Sequence, residues 1–417
     1  MFLIGCYFIS HISCRALFRN KSIPVSYIKT FETENRFILI KNMSDNNCKR
    51  SKRIKVGILI HNLSFSAPSN AFSDVLTTSK HPFSEIFNKF YVLPFFQIGT
   101  HDGMFHCDEV LACYLLKQLP EYSDAEIIRT RDPAKLQECD IVVDVGGVFD
   151  KSIHRYDHHQ REFKETMSSL YPTSKNFNIR LSSAGLIYVH FGEQIIRGKV
   201  SLGDEAIKII FEKIYESLIQ EIDAIDNGIM MCEGEPLYRI SSDVSSRVKR
   251  LNADWNAPKG FDVQEKFEEA MDVVGSEFLD KVSYFTSSWW PARDVVEQAI
   301  KKRFDVHASG EIIQLETIAP WTEHMFDLEK ALDIVGSIKF CLFEDEKGNW
   351  RVQCVPIKTG SFVCRNFLKS EWQGVRDADL EKVSGIKGCI FVHATGFIGG
   401  NKTREGALEM AVKSLNA

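Results

Sequence analysis

From residue 95 onward, apolar positions follow two periods that alternate along the chain. Phe95-Phe96-Gln97-Ile98 is a short apolar run readable as a strand, and Glu109 to Leu119 carries its apolar residues at helical spacing. Ile141-Val142-Val143 is strand-like again and ends on Asp144, close to Gly146 and Gly147. Between Asp204 and Asp226, Ile207, Ile210, Phe211, Ile214, Leu218, Ile222 and Ile225 recur every three or four residues, as in a helix facing a core, and Asn227-Gly228 reads as its stop. Val263 to Phe285 and Asp294 to Phe304 predict two more helices. Phe340 to Glu344, a Glu-Lys-Gly-Asn turn and Trp350 to Pro356 then predict a hairpin. Gly388 to His393 reads as a strand, Ala394 to Gly400 as a glycine loop and Asn401 to Val412 as a helix. This alternation predicts an α/β protein with a doubly wound parallel sheet and flanking helices. The domains expected are a basic, unstructured extension over residues 1–97, a catalytic domain over 98–304 and a smaller α/β domain over 305–417.

The polar residues that interrupt this pattern are concentrated. His101, Asp102, His106 and Asp108 sit on the predicted strand-to-helix turn, and Asp157, His158 and His159 follow Tyr156 about fifty residues later. Hard, metal-capable ligands in two short stretches are the pattern of a metal-dependent phosphoester hydrolase. In a strand, His154, Tyr156 and His158 would point one way and Arg155, Asp157 and His159 the other, so one imidazole can bind metal while its neighbour faces substrate. Asp223 and Asp226 are three residues apart and share a helical face. Carboxylates at a helix C-terminus are electrostatically unfavourable, a penalty that a bound cation removes.

A basic feature lies near the end of the chain. Gly399 and Gly400 in a loop before a helix would present backbone N–H groups to an anion, with Lys402 and Arg404 adding charge and His393 a hydrogen-bond donor. Arg293, Trp321, His324 and Arg376 are further candidates; Trp289, Trp290 and Trp321 could stack on bases, although buried core is the commoner place for a tryptophan.

Composition narrows the reading. With 44% hydrophobic residues in 417, the chain has core enough for two domains. No apolar run reaches membrane-spanning length, so no membrane role is expected. The 11 cysteines lack paired spacing, which argues against a zinc finger or a disulfide framework, and Cys107 is expected to point into the protein. Residues 1–97 hold 13 Lys and Arg against 5 Asp and Glu, a net +8, whereas the remainder has 38 against 51, a net −13. An acidic body suits divalent cations but not a broad polyanion-coating surface, so any groove for nucleic acid must be local.

The segments GTHDGMFHCDEVLA, VVDVGG, YDHHQ, IDAIDNGI and HATGFIGGNKTREGAL together resemble the melanocyte-proliferating-gene exonuclease family, within the DHH phosphoesterase superfamily. The resemblance runs from about Ile98 to the C-terminus. It implies a 3′-to-5′ exonuclease acting on single-stranded RNA in the mitochondrial matrix and the nucleus or nucleolus, with two divalent ions, manganese preferred to magnesium. It also implies His101, Asp108, Asp144 and His158 as ligands, with Asp226 preferred to Asp223. The superfamily usually has an aspartate where this chain has His106, one residue nearer to His101, which leaves the coordination of one metal open. Asp157, His158 and His159 would carry the chemistry, His159 facing the scissile phosphate. Two hard cations bridged by a carboxylate acidify bound water and stabilise both the attacking and leaving oxygens, which is why the reaction needs this residue set. A small-substrate phosphohydrolase and a non-catalytic nucleotide-binding protein are the alternative classes, and the first suits the acidic charge better.

The first 97 residues do not share the resemblance. Met1 to Thr30, with Arg15, Arg19, Lys21 and Lys29 and no acid before Glu32, has the composition of a mitochondrial transit peptide, and Lys49 to Lys55 is a basic cluster of nuclear-localisation type. Gly57 to Gln97 intervenes where family members pass almost directly into Gly-Thr-His, and its Leu-Pro-Phe-Phe-Gln ending reads as a translated intron, with Met43 as the natural start.

Overall fold

The computed structural model describes residues 27–33, 36–42 and 96–415. The chain divides into an N-terminal unit, residues 1–95, and a second unit, residues 96–417. The described part of the first is a single antiparallel hairpin, β1 (Tyr27–Thr33) against β2 (Arg36–Asn42). The basic cluster Lys49 to Lys55, the segment from Gly57 to Phe95 and all but the last four residues of the transit-like stretch lie outside the described residues.

In the second unit, β3 (Gln97–Thr100), β4 (Glu126–Arg129), β5 (Ile141–Val143), β6 (Phe149–Asp150) and β7 (Arg155–Tyr156) form a sheet of order β4-β3-β5-β7-β6. The pairs β3–β4 and β3–β5 are parallel because helices α1 (Cys107–Lys117) and α2 (Pro133–Glu138) carry the chain back between strands, and β5–β7 is parallel because β6, between them in sequence, runs the opposite way. The sheet is nonetheless mixed rather than wholly parallel. The connection from β6 to β7 is a single short turn, too short for a crossover, so β6 pairs antiparallel. Parallel pairing puts the carboxyl ends of β3, β5 and β7 side by side, where ligands bind in open α/β sheets.

Helices α3 (Ser183–Lys199), α4 (Asp204–Ile214), α5 (Gln220–Asp226), α6 (Val244–Lys249) and α7 (Val263–Tyr284) complete this half. Its core joins Ile98 and Val143 of the sheet to Leu111, Ile187, Phe211 and Phe278 of the helices. The helix predicted over 204–226 is interrupted by a π-turn at Tyr215–Ile219, which shifts its phase by a residue. Leu218 and Ile222 stay buried, whereas Ile225, expected in the core, is exposed.

The second sheet has order β11-β12-β10-β9-β8, from β8 (Ile312–Gln314), β9 (Phe340–Glu344), β10 (Trp350–Cys354), β11 (Cys389–Val392) and β12 (Ile398–Asn401). The predicted hairpin is β9–β10, and only β8–β9 is parallel. Helices α8 (Ala292–Lys301) and α9 (Thr322–Ala331) cover one face through Val296, Ile300, Met325 and Phe343. Helices α10 (Asp377–Ser384) and α11 (Arg404–Leu415) cover the other through Leu342, Val352, Leu380 and Met410. Helix α8 therefore packs with the C-terminal sheet although it precedes residue 305.

Candidate metal centre and cleft

Three strand ends deliver the site. His101 follows β3, Asp144 follows β5, and Asp157 and His158 follow β7. Asp144 occupies the left-handed region at φ 56°, and Gly146 and Gly147 at φ 99° and 66° complete a turn that an ordinary side chain resists. Asp108 comes from the first turn of α1 and Asp226 from the end of α5.

The ligand atoms fall into three groups, each within 4.8 Å: His101, His106 and Glu109; Asp144, His158 and His159; Asp108, His158 and Asp226. Buried His158 anchors the last two, its Nε2 standing 3.1 Å from Asp226, 3.5 Å from Asp144 and 3.7 Å from Asp108. Neither of its ring nitrogens meets a partner in hydrogen-bond geometry, so the carboxylates act on the ring as surrounding charges rather than as aligned acceptors. A buried imidazole in that position suits a cation at the point where the oxygens converge. His101 is oriented differently. Its Nδ1 pairs with the Asp102 carbonyl at 2.9 Å, which leaves Nε2 facing Asp144 at 3.4 Å and Glu109 at 3.0 Å.

Charge in this cluster is unevenly shared. Burial alone would lower the His101 pKa, but the Asp144 and Glu109 carboxylates overcome it and push it up to about 10. His158 behaves likewise, pushed up to about 11 against burial by Asp144 and Asp226. Burial works against Asp144 too, yet the two imidazoles hold its carboxyl below the usual range. Asp108 is pushed well above the usual carboxylate range, by burial first and then by Asp144 and Asp226. Protons here do what a divalent cation would do, which is to offset several buried carboxylates at once.

The supporting groups were harder to find. Glu109 is fully buried, accepts the His106 backbone N–H at 3.0 Å and contacts His101; the helix pattern had marked it only as an α1 residue. Its spacing of three from His106, the position that closes an N-terminal cap, was the available signal. Ser182 and Ser183, at the start of α3, were missed altogether. The Ser182 hydroxyl lies 2.6 Å from Asp108 and 2.7 Å from Asp223, while the backbone N–H groups of Ser183 and Ala184 donate to Asp108. Asp223 faces Ser182 and the Tyr215 hydroxyl and belongs to none of the three groups; only glycine at 185 leaves it room. Asp157 likewise takes no part in a group. It accepts from Gly147 N–H at 2.6 Å and from His159 at both its backbone N–H and Nδ1, at 3.0 and 2.7 Å. That contact raises the His159 pKa and holds the half-exposed ring at the mouth of the centre. Cys107 is buried and outside the groups.

The centre opens into a cleft of about 1470 Å³, whose wall includes Arg180, Arg239 and Lys249 and the segment after α5.

The C-terminal candidates are arranged otherwise than expected. Gly399 and Gly400 do not form an anion loop. They lie in β12, between β10 and β11, where the sheet ladder uses their backbone groups. A side chain at 399 would strike Leu368 and Met410, and one at 400 would strike Arg351 and Phe391, so close packing is what glycine serves. Thr403 caps α11 by accepting from Gly406 N–H. Arg404 donates to Gln314, whereas Lys402 and His393 are exposed. Arg376 stacks on Phe391, and Arg293 on Trp290. Trp289, Trp321 and His324 are buried, Trp289 donating to Glu323 and His324 pairing with the Trp289 carbonyl, so these three are packing residues rather than a base-stacking surface.

An α/β fold of two mixed sheets, with a carboxylate and imidazole centre at the strand ends of the first, defines a protein whose side chains could hold metal ions. Residues 97–415 match the MYG1_exonuc family model, described as an uncharacterised protein family (UPF0160). The chain belongs to that family. It is 53% identical over 323 residues to the MYG1 exonuclease of Homo sapiens, covering 76% of this chain and 85% of that one, and equally so to that of Bos taurus, covering 76% and 84%. The MYG1 protein of Dictyostelium discoideum is 48% identical over 322 residues, covering 76% and 96%.

Proposed function

We propose that this chain is a divalent-cation-dependent 3′-to-5′ exonuclease acting on single-stranded RNA, a DHH-type phosphodiesterase working in the mitochondrial matrix and the nucleus. The observation that carries the reading is His158 Nε2 within 3.1 to 3.7 Å of three carboxylates, without a hydrogen bond, in a cleft beside a half-exposed His159. The names of the relatives support a nucleic-acid substrate, and the basic N-terminal composition is what the compartments are read from.

His101, Asp108, Asp144, His158 and Asp226 would hold two cations, with Glu109 and His106 beside the first, and the all oxygen and nitrogen donor set suits manganese or magnesium. Such ions supply positive charge to phosphate oxygens and acidify water. The chain's own residues do the rest. Ser182 and the start of α3 fix Asp108, and the Asp102 carbonyl fixes the His101 tautomer. Asp157 holds His159 Nδ1–H and favours its charged form, so that Nε2 can donate to a phosphate oxygen. Lys402, His393 and Arg376 on the C-terminal half would hold the strand away from the reacting bond.

The test is degradation of 5′-labelled single-stranded RNA with manganese, compared with magnesium, chelator, single-stranded DNA, a dinucleotide and pyrophosphate. Products shortening one nucleotide at a time from the 3′ end are expected. Cleavage of pyrophosphate alone would establish the small-substrate reading, which the net −13 of residues 98–417 favours.

A further inference from the structure

The segment that follows α5 is unlike the rest of the fold. Residues 228–242 are exposed without interruption, yet they include Met230 at 66%, Met231 at 79%, Leu237 at 101% and Tyr238 at 74%. Loops of this kind are ordinarily polar, because an exposed apolar run gains nothing in a folded monomer and invites aggregation. This run also has a fixed place. It begins two residues after Asp226 and forms a wall of the cleft that contains His158 and His159. The same wall carries Arg239, next to Tyr238, and Lys249 from α6, with Arg180 nearby.

Glu233 and Glu235 of the same segment are not among the residues lining the cleft, although Glu216, Glu221 and Asp243 are. The apolar and aromatic surface that does line it, with Arg239 and Lys249 among the lining residues and beside a centre built for phosphate, fits one occupant. We infer that residues 229–240 form a stacking platform for the bases of a single-stranded polynucleotide whose terminal phosphodiester lies at the centre, with Tyr238 the principal stacking group and Arg239 and Lys249 facing its phosphates. The inference rests on the exonuclease reading and deepens it. A pyrophosphate has no base to cover this surface, whereas each nucleotide of a strand offers a π-face whatever its sequence. Stacking also answers the charge problem, since residues 98–417 carry a net −13 and long-range attraction for a polyanion is weak. Affinity then comes from short-range contact at one wall.

The experiment uses the full chain with manganese, RNA oligonucleotides of two to twelve residues, and bis(p-nitrophenyl) phosphate as a phosphodiester without a base. For Tyr238→Ala, KM for the longer RNAs should rise about tenfold to a hundredfold, the range that loss of one stacked base carries. The ratio of kcat/KM for RNA to that for the base-free ester should fall with it, and Tyr238→Phe should restore it. RNA with 2-aminopurine near its 3′ end should be quenched on binding to the native chain and to the Phe variant, but not to the Ala variant. Because Tyr238 is exposed, Tm should be unchanged. If the native chain degrades RNA and the Ala variant matches it within twofold in KM and quenching, the platform is wrong and the exonuclease reading stands. If the native chain cleaves pyrophosphate but no RNA, both fail. If Tyr238→Ala alters sedimentation but not KM, the surface joins two copies of the chain and the proposal is overturned.

Discussion

Replacing Asp144 by asparagine separates the electrostatic work of the centre from its backbone. Asp144 sits at φ 56°, a conformation that asparagine tolerates, whereas for alanine left-handed backbone costs roughly 1–2 kcal/mol. In the cation-free protein the carboxylate faces His101 at 3.4 Å and His158 at 3.5 Å. Breaking a buried pair by removing one partner costs about 3–5 kcal/mol when the survivor is left uncompensated. Neither survivor is left so here: His101 keeps Glu109 at 3.0 Å and His158 keeps Asp226 at 3.1 Å. Asp108, which Asp144 repels, is relieved as well. The expected loss for Asp144→Asn is therefore well under that range, about 1–2 kcal/mol, read by urea denaturation at pH 7 in chelator. Activity should respond on another scale. Loss of a carboxylate shared by two cations should lower manganese-dependent kcat by at least about 10³-fold, roughly 4 kcal/mol of transition-state stabilisation. Manganese at a hundred times its Kd should stabilise the native chain by about 2.7 kcal/mol and the variant by much less. Asp144→Ala should lose the same activity and additional stability. A folded Asp144→Asn protein that keeps turnover within tenfold and the full manganese stabilisation would refute the shared-ligand assignment.

Other outcomes follow from the same geometry. His158→Ala should weaken manganese affinity and recover partly at high manganese, whereas His159→Ala and Asp157→Asn should lower kcat without recovery; superimposable metal titrations of the three would sink the division of roles. Ser182→Ala removes a hydroxyl that bonds two buried carboxylates, so unfolding free energy should fall by about 1–3 kcal/mol, and an unchanged denaturation midpoint would show that Asp108 and Asp223 are held by other means. The His101 and His158 pKa values are raised above 6.5, to about 10 and about 11. The stability this contributes is complete below pH 6.5 and lost as pH rises through 10 to 11, so Tm of the cation-free protein should fall over that span. Saturating manganese should flatten the profile by replacing the protons, and calorimetry at pH 7.5 in buffers of differing ionisation enthalpy should register proton release. No buffer dependence of the binding heat would contradict protonated imidazoles in the centre.

The sequence by itself carried the local periods and the chemistry tied to them. Buried runs at Ile98 and Ile141–Val143, amphipathic spacing in α1 and α7, and the β9–β10 hairpin are set by nearest neighbours along the chain, and the boundaries read from them are close to those observed. His101, Asp108, Asp144 and His158 stand out as metal-capable residues beside a strand or a helix start, and it is the family resemblance that singles them out as ligands. Tertiary structure decided what those patterns leave open. A π-turn that no periodicity announces rotates α5, so that Asp223 turns to Ser182 and Tyr215 while Asp226 reaches His158. Glu109 and Ser182 join the site through contacts made by folding, Ser182 meeting Asp108 across 74 positions of sequence. Gly399 and Gly400 look like a phosphate loop in one dimension. Their neighbours Phe391 and Arg351 come from other strands, and only the assembled sheet shows that glycine is there for the space.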